Sequence, residues 1–247
     1  MNLQTVVSIF LSFFFAAFLK GITGLGFSTI CLPIIATFLD PKIAIPLVIV
    51  PSLSSNLLVM AQAGKFQDAL SNFWLIYVST FPGLLLGVYV LNSIEGAISR
   101  AILGVILFFY ALWALRSKPI ILSEKMRTWL TVPVGFTTGV INGITGSQIM
   151  PLLPFLLTLD LNKETFVQAI NLSFTLSSMI MLFLLGKIGL LQPSLLGIAV
   201  VGILPVAMGI NLGSRLRKRL PEEKFRTMVL LFLLVVGLSL IIRFITI

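Results

Sequence analysis

Long apolar runs set off by short polar punctuation dominate the chain. They read as roughly 3–20, 24–39, 42–63, 71–92 and 98–115, then 127–142, 146–159, 164–185, 191–212 and 224–246. The longer of these runs, such as 42–63 and 224–246, are long enough for a helix to cross about 30 Å of hydrocarbon at about 1.5 Å per residue. The runs 24–39 and 146–159 are shorter and reach only about 21–24 Å as helices. Both short runs hold prolines, Pro33 in one, Pro151 and Pro154 in the other, and both follow the same four residues, Gly-Ile-Thr-Gly, at Gly21–Gly24 and Gly143–Gly146. The pattern predicts an all-α polytopic membrane protein of 8–10 membrane segments, with the two short runs as broken or re-entrant helices.

The two breaks lie 122 residues apart, and other punctuation repeats near that offset. Asp40 and Asp160 close the short runs, Ser54-Ser55 answers Ser177-Ser178, and Gly64-Lys65 answers Gly186-Lys187. Leu86-Gly87 answers Met208-Gly209, and Arg100 and Arg226 open the last helix of each half. Apolar segments resemble one another by chance, but a run of punctuation in one order favours duplication. Residues 1–115 then form one repeat, 127–247 the other, and 116–126 the linker. Five segments per repeat make the two inverted.

Composition removes the water-soluble alternative. Only 10% of residues are charged and 58% are hydrophobic, against about a quarter charged in soluble domains. The net charge of +9 does not read as a nucleic-acid footprint, because ten of the 17 basic residues crowd into the stretches around 116–127 and 215–226. Such clusters between spans mark cytoplasmic loops that touch anionic lipid. With five segments per half, both clusters fall on one side together with Lys65 and Lys163, and both termini fall on the other. The first apolar run has no basic residues before it and no small-residue cleavage site, and reads as a retained helix, not a signal peptide.

The breaks hold the candidate chemistry. Unpaired backbone groups in hydrocarbon cost several kcal/mol each unless they line a wet or protein-filled cavity. A helix that restarts after each break would aim N–H groups and the positive end of its dipole at an anion. Expected binding residues are Lys20, Thr23, Gly24, Gly26 and Ser28 at the first break, and Asn142, Thr145, Gly146, Ser147 and Gln148 at the second. The alternative is that the glycines serve close helix packing. Lys20 aligns with Asn142; it either binds a small anion or snorkels to the headgroups. Ser52, Ser54, Ser55 and Asn56, and Gln168, Asn171, Ser173, Thr175, Ser177 and Ser178, lie on the helices after the short runs. Asn171 joins the binding set because Gln168, Asn171 and Thr175 share a helix face that could line a pathway, unless it serves interhelical hydrogen bonding.

What is missing narrows the function. All eight acids sit at segment ends or in loops, so carboxylate-driven coupling has little support, and Asp40 and Asp160 are read as helix caps. There is no histidine and no nucleotide motif, and the single cysteine, Cys31, reads as a small buried residue. No catalytic set, cofactor or metal is expected.

Gly21-Ile-Thr-Gly-Leu-Gly-Phe followed by Pro33 resembles the TauE/SafE family of sulfite and organosulfur exporter permeases. So do Gly139-Val-Ile-Asn-Gly-Ile-Thr-Gly with Pro151 and the run from Phe166 through Asn171. The resemblance covers essentially the whole chain. It implies export of sulfite, sulfonates or related small anions across the cytoplasmic membrane of a prokaryote, with lipid and a small anionic substrate as partners and a homo-oligomer left open. A channel-like anion or weak-acid pathway and a non-transporting subunit are the alternatives.

Overall fold

Helix ends follow local chemistry. The computed structural model describes residues 2–23, 26–116, 121–217 and 222–245. Its helices are α1 (Leu3–Thr23), α2 (Phe27–Ala36), α3 (Pro41–Ala63), α4 (Phe66–Ser93), α5 (Gly96–Arg116), α6 (Glu124–Thr145), α7 (Leu152–Leu157), α8 (Lys163–Lys187), α9 (Pro193–Val201), α10 (Ile203–Arg217) and α11 (Glu222–Ile245). There is no strand among the described residues. Asp40 caps α3 by accepting from the Lys42 N–H at 2.8 Å, and Pro41 starts it where no N–H is needed. Asp160 does not cap α8, contrary to expectation; Asn162 stands nearer the helix start and takes that role, accepting from the Thr165 N–H.

Six helices are long and apolar enough to cross a membrane: α1, α3, α4, α5, α8, and α9 with α10 taken together. The α6 helix has spanning length, with Glu124, Lys125 and Arg127 in its first turns. The chain is a polytopic membrane protein. The single run expected at 191–212 is two helices that meet at Gly202. The short segments are shorter than expected, with ten residues in α2 and six in α7, about 15 and 9 Å long.

The main surprise concerns the breaks. Gly21 and Gly143 are not in them. Both lie in the last turn or two of continuous helices, α1 and α6, and both serve close packing. The interruptions come later, around Gly26 and across 146–151. In the second half, α7 begins only at Leu152, so Gly146–Gln148 do not open a helix and no helix dipole points from them.

Two helix pairs touch backbone to backbone. A Cβ built on Gly83 of α4 would stand 2.1 Å from the Phe136 carbonyl oxygen of α6, and one on Gly87 would stand 2.3 Å from the Val140 oxygen. In the other pair, a Cβ on Gly209 of α10 would stand 2.6 Å from the Phe14 oxygen of α1, and one on Gly213 would stand 2.1 Å from the Phe18 oxygen. Rising numbers match rising numbers in both pairs, so each runs parallel. Phe14 and Phe136, Phe18 and Val140, and Gly21 and Gly143 are all 122 positions apart. The glycines opposite them match at 126, so Gly83 answers Gly209 and Gly87 answers Gly213. The expected pairing of Gly87 with Gly209 is therefore off by one helical turn.

The remaining helices complete the bundle. The α5 and α11 helices cross at Gly104 and Gly237. The α3 and α8 helices pack antiparallel, with Thr175 donating to the Met60 sulfur and the Lys65 N–H donating to Gln168. One end of the bundle gathers Lys65 and Gln168, Arg127 over the Phe73 ring, and Leu122 donating to the Thr158 carbonyl. The other gathers the α2–α3 turn: Arg100 and Arg243 donate to the carbonyls of Leu39 and Thr37, and Lys42 donates to that of Asn92. The first is the basic end.

These seams leave no room for a side chain. Gly87→Leu is expected to lower stability by roughly 1–3 kcal/mol or more through overpacking, whereas Gly197→Leu, where nothing lies within 4 Å of a Cβ, leaves it unchanged. Thermal unfolding of the purified variants in detergent checks both.

Candidate functional site

The glycine seams aim the residues beside them. Successive helix residues point about 100° apart. With Gly21 turned into the α10 seam, Lys20 is turned toward α3. With Gly143 turned into the α4 seam, Asn142 is turned toward the second break.

Lys20 is fully buried, at 0% exposure. Its ammonium donates to Ser55 Oγ at 3.1 Å and to Asn56 Oδ1. No carboxylate pairs with it among the described residues. It therefore does not snorkel: its charge is held by two neutral side chains of α3. Pro46 and Pro51 lie inside that helix and remove two of its backbone donors. The Ser55 hydroxyl in turn donates to the Ser52 carbonyl at 2.7 Å. Asn56 Nδ2 is buried and has no partner.

A separate small cavity lies between α2 and α3 on one side and the second break with α8 on the other. Its walls are Ser28 and Leu32 of α2, Ile45, Val48, Ile49 and Ser52 of α3, Asn142, Gly146 and Gln148 at the break, and Ser178 and Met181 of α8. Its free volume is about 10 Å³, room for about one water molecule. Ser28 and Ser52 bring their hydroxyls to 3.3 Å across it, and Gln148 Nε2 donates to Ser178 Oγ at 3.4 Å. Three buried polar atoms at this break lack a partner: Asn142 Nδ2, Ser147 Oγ and Gln148 Oε1. Turning the Gln148 amide over exchanges its oxygen and nitrogen and offers an N–H in their place.

The expected binding residues divide accordingly. Ser28, Asn142, Gly146 and Gln148 line the cavity, with Ser147 next to them in the chain. Lys20 lies apart with Ser55 and Asn56. Thr23 and Thr145 spend their hydroxyl protons on their own helices, on the carbonyls of Leu19 and Ile141, and Thr145 Oγ1 accepts from the Ser147 N–H. Gly26 holds the left-handed turn that opens α2, at φ 86°. Asn171 is buried on α8, donates to the Val167 carbonyl and does not line the cavity. Gly24 lies outside the described residues. Ser52, Ser55, Asn56 and Ser178 were legible as polar residues on flanking helices, but nothing in their spacing singled them out as site residues.

Gly146 closes α6 in the left-handed region, at φ 71°, and its N–H donates to the Asn142 carbonyl at 2.7 Å. A Cβ there would stand 2.7 Å from the Leu32 side chain of α2. This glycine brings the second break against the short helix of the first half.

No curated protein and no solved structure matches the chain. A family model does match, described as the sulfite exporter TauE/SafE, over residues 9–240. With that match across nearly the whole length and spanning helices throughout, the chain belongs to the TauE/SafE family of sulfite exporters.

Proposed function

We propose that this protein exports a small sulfur-containing anion, such as sulfite or an organosulfonate, by alternating access between two inverted halves. The observation that carries the reading is the Lys20 ammonium, fully buried and without a carboxylate. Burying an ion without a counter-charge costs several kcal/mol, and intramembrane charge marks a transport pathway by default. A transported anion is the missing counter-charge. The buried, unpartnered donors of Asn56 and Asn142 fit the same ligand.

Inversion is supported by the helix pairs. Exchanging each helix for its counterpart turns the α4–α6 contacts into the α10–α1 contacts. The α3–α8 and α5–α11 pairs, each made of two counterparts, pack antiparallel. Inverted repeats that meet around a central site are the usual framework for alternating access. In this reading the protein sits in the cytoplasmic membrane of a prokaryotic cell with its basic end in the cytoplasm, the side the positive-inside rule favours. An inside-negative potential then favours anion exit by about 2.3 kcal/mol per charge per 100 mV.

The proposal separates function from stability at two residues. Lys20→Met is expected to unfold at the same temperature as the parent protein or higher, because it removes an uncompensated buried charge. It should lose the thermal stabilisation that hydrogen sulfite or methanesulfonate confers on the parent. A purely structural lysine would behave oppositely, its removal leaving the Ser55 and Asn56 acceptors unpaired at a cost of roughly 1–3 kcal/mol. Unfolding scans with and without each anion decide between them. Gly146→Leu is expected to leave folded protein in the membrane and to abolish saturable sulfite flux in proteoliposomes, by filling the space between the second break and Leu32. Unchanged flux would count against the cavity, and flux linear in concentration would favour a channel.

A further inference from the structure

We infer that the transported anion has two separate stations stacked along α3: a cationic inner one at Lys20 and Asn56, and a neutral outer one at Asn142, Ser147 and Gln148. The inference rests on the proposed export reading and adds to it the order and charge of the binding places.

The stations are distinct in space. Lys20 reaches Ser55 and Asn56, whereas the cavity takes Ile45, Val48, Ile49 and Ser52 from the same helix. The two sets are centred about 10 Å apart along the axis at about 1.5 Å per residue. Because α3 runs from the α2–α3 turn to the basic end, the Lys20 station is nearer that end. Ser52 joins the two. Its hydroxyl lines the cavity with Ser28, and its carbonyl takes the proton of Ser55, the same hydroxyl that accepts from Lys20.

Each station has unused hydrogen-bonding capacity. An ammonium has three donors, and Lys20 uses two. The Asn56 amide that holds it leaves Nδ2 buried and unpartnered. A free ammonium donor and a free amide donor on bonded partners suit two oxygens of one oxyanion. At the outer station Asn142 Nδ2 and Ser147 Oγ are likewise buried and unpartnered.

Charge sets the ligand and the order. The inner station supplies one positive charge with no carboxylate against it, so a singly charged oxyanion neutralises it, while a dianion would leave a net buried charge. The outer station is neutral and holds the same anion less tightly. An anion entering from the basic end thus meets the stronger station first and leaves from the weaker one.

Moving the charge is the test. Methanesulfonate, singly charged at every working pH, is the probe, in orientation-sorted proteoliposomes held at zero membrane potential. The parent protein is expected to half-saturate at a concentration lower by roughly tenfold on the basic-loop face, the factor that corresponds to about 1.4 kcal/mol. Lys20→Asn combined with Asn142→Lys should reverse that sidedness. Lys20→Asn alone, which needs no new buried charge, should shrink it to within about twofold while flux stays saturable. Sidedness that is absent in the parent, or that neither variant moves, overturns the two stations and leaves the exporter reading in place. If methanesulfonate, hydrogen sulfite and thiosulfate all show no saturable flux in the parent, the exporter reading fails and takes the stations with it.

Discussion

Backbone-to-backbone approach along two glycine seams positions nearly everything else in this bundle. Lipid offers no hydrophobic drive for helix pairing, so helices associate through close packing of small residues. Here α1 lies on α10 and α4 on α6 so closely that a single added carbon would enter a neighbouring carbonyl. The seams do more than hold the bundle. Each ends at a glycine next in sequence to the most consequential polar residue of its half, Lys20 before Gly21 and Asn142 before Gly143. Fixing the glycine against its partner fixes the direction of that neighbour, and a buried ammonium or amide gains a defined place without contributing to the seam.

The two seams match position for position, with volume traded between them. In one, Gly135 admits the Ile76 backbone and the Ser79 hydroxyl of α4. In the other, the position of Gly135 is held by Phe13, and its ring rests on Gly202, where the first seam has Ile76. Large against small in one half becomes small against large in the other, with the space between helices kept filled in both. The substitution of Asn142 for Lys20 is a different matter. It conserves neither charge nor volume, and no packing reason in the structure requires it. An asymmetry of charge inside an otherwise compensated pair is the strongest internal sign that the two halves do not treat a ligand alike.

Much of this was legible in the sequence. Run lengths and punctuation placed the ten apolar segments, because a membrane helix must be apolar over a fixed length and must end on residues that can stop it. Asp40 marks a helix start through chemistry that acts within a few residues, whereas at α8 Asn162 takes the place expected of Asp160. The location of the breaks was less accessible. Gly-Ile-Thr-Gly reads as an interruption, yet its described residues close a helix, since its first glycine is wanted for its missing side chain. Whether a glycine serves packing or a turn depends on the helix opposite it, which spacing alone does not reveal. The same limit explains Ser52, Ser55 and Asn56. Their importance comes from Lys20, 35 residues earlier for Ser55, and long-range partners leave no local signature.

The seams also constrain how the cavity can open. Sliding α1 past α10, or α4 past α6, would drive backbone carbonyls into the adjacent turns, because packed interfaces of this kind shift between discrete arrangements and do not deform smoothly. The cavity has no such seam. Its walls are two serine hydroxyls 3.3 Å apart, a long amide contact at 3.4 Å and aliphatic side chains on α2, α3 and α8. These contacts are weak, and water or an anion can replace each of them. On the proposed alternating-access reading, opening would leave each seam-bound pair intact and separate the short arms and the second break from the α3–α8 centre. On that account Gly146 matters twice. It ends one rigid element, and it is the point where that element meets Leu32 of the other half, so the contact that must part on opening is also the one that gives the closed cavity its shape.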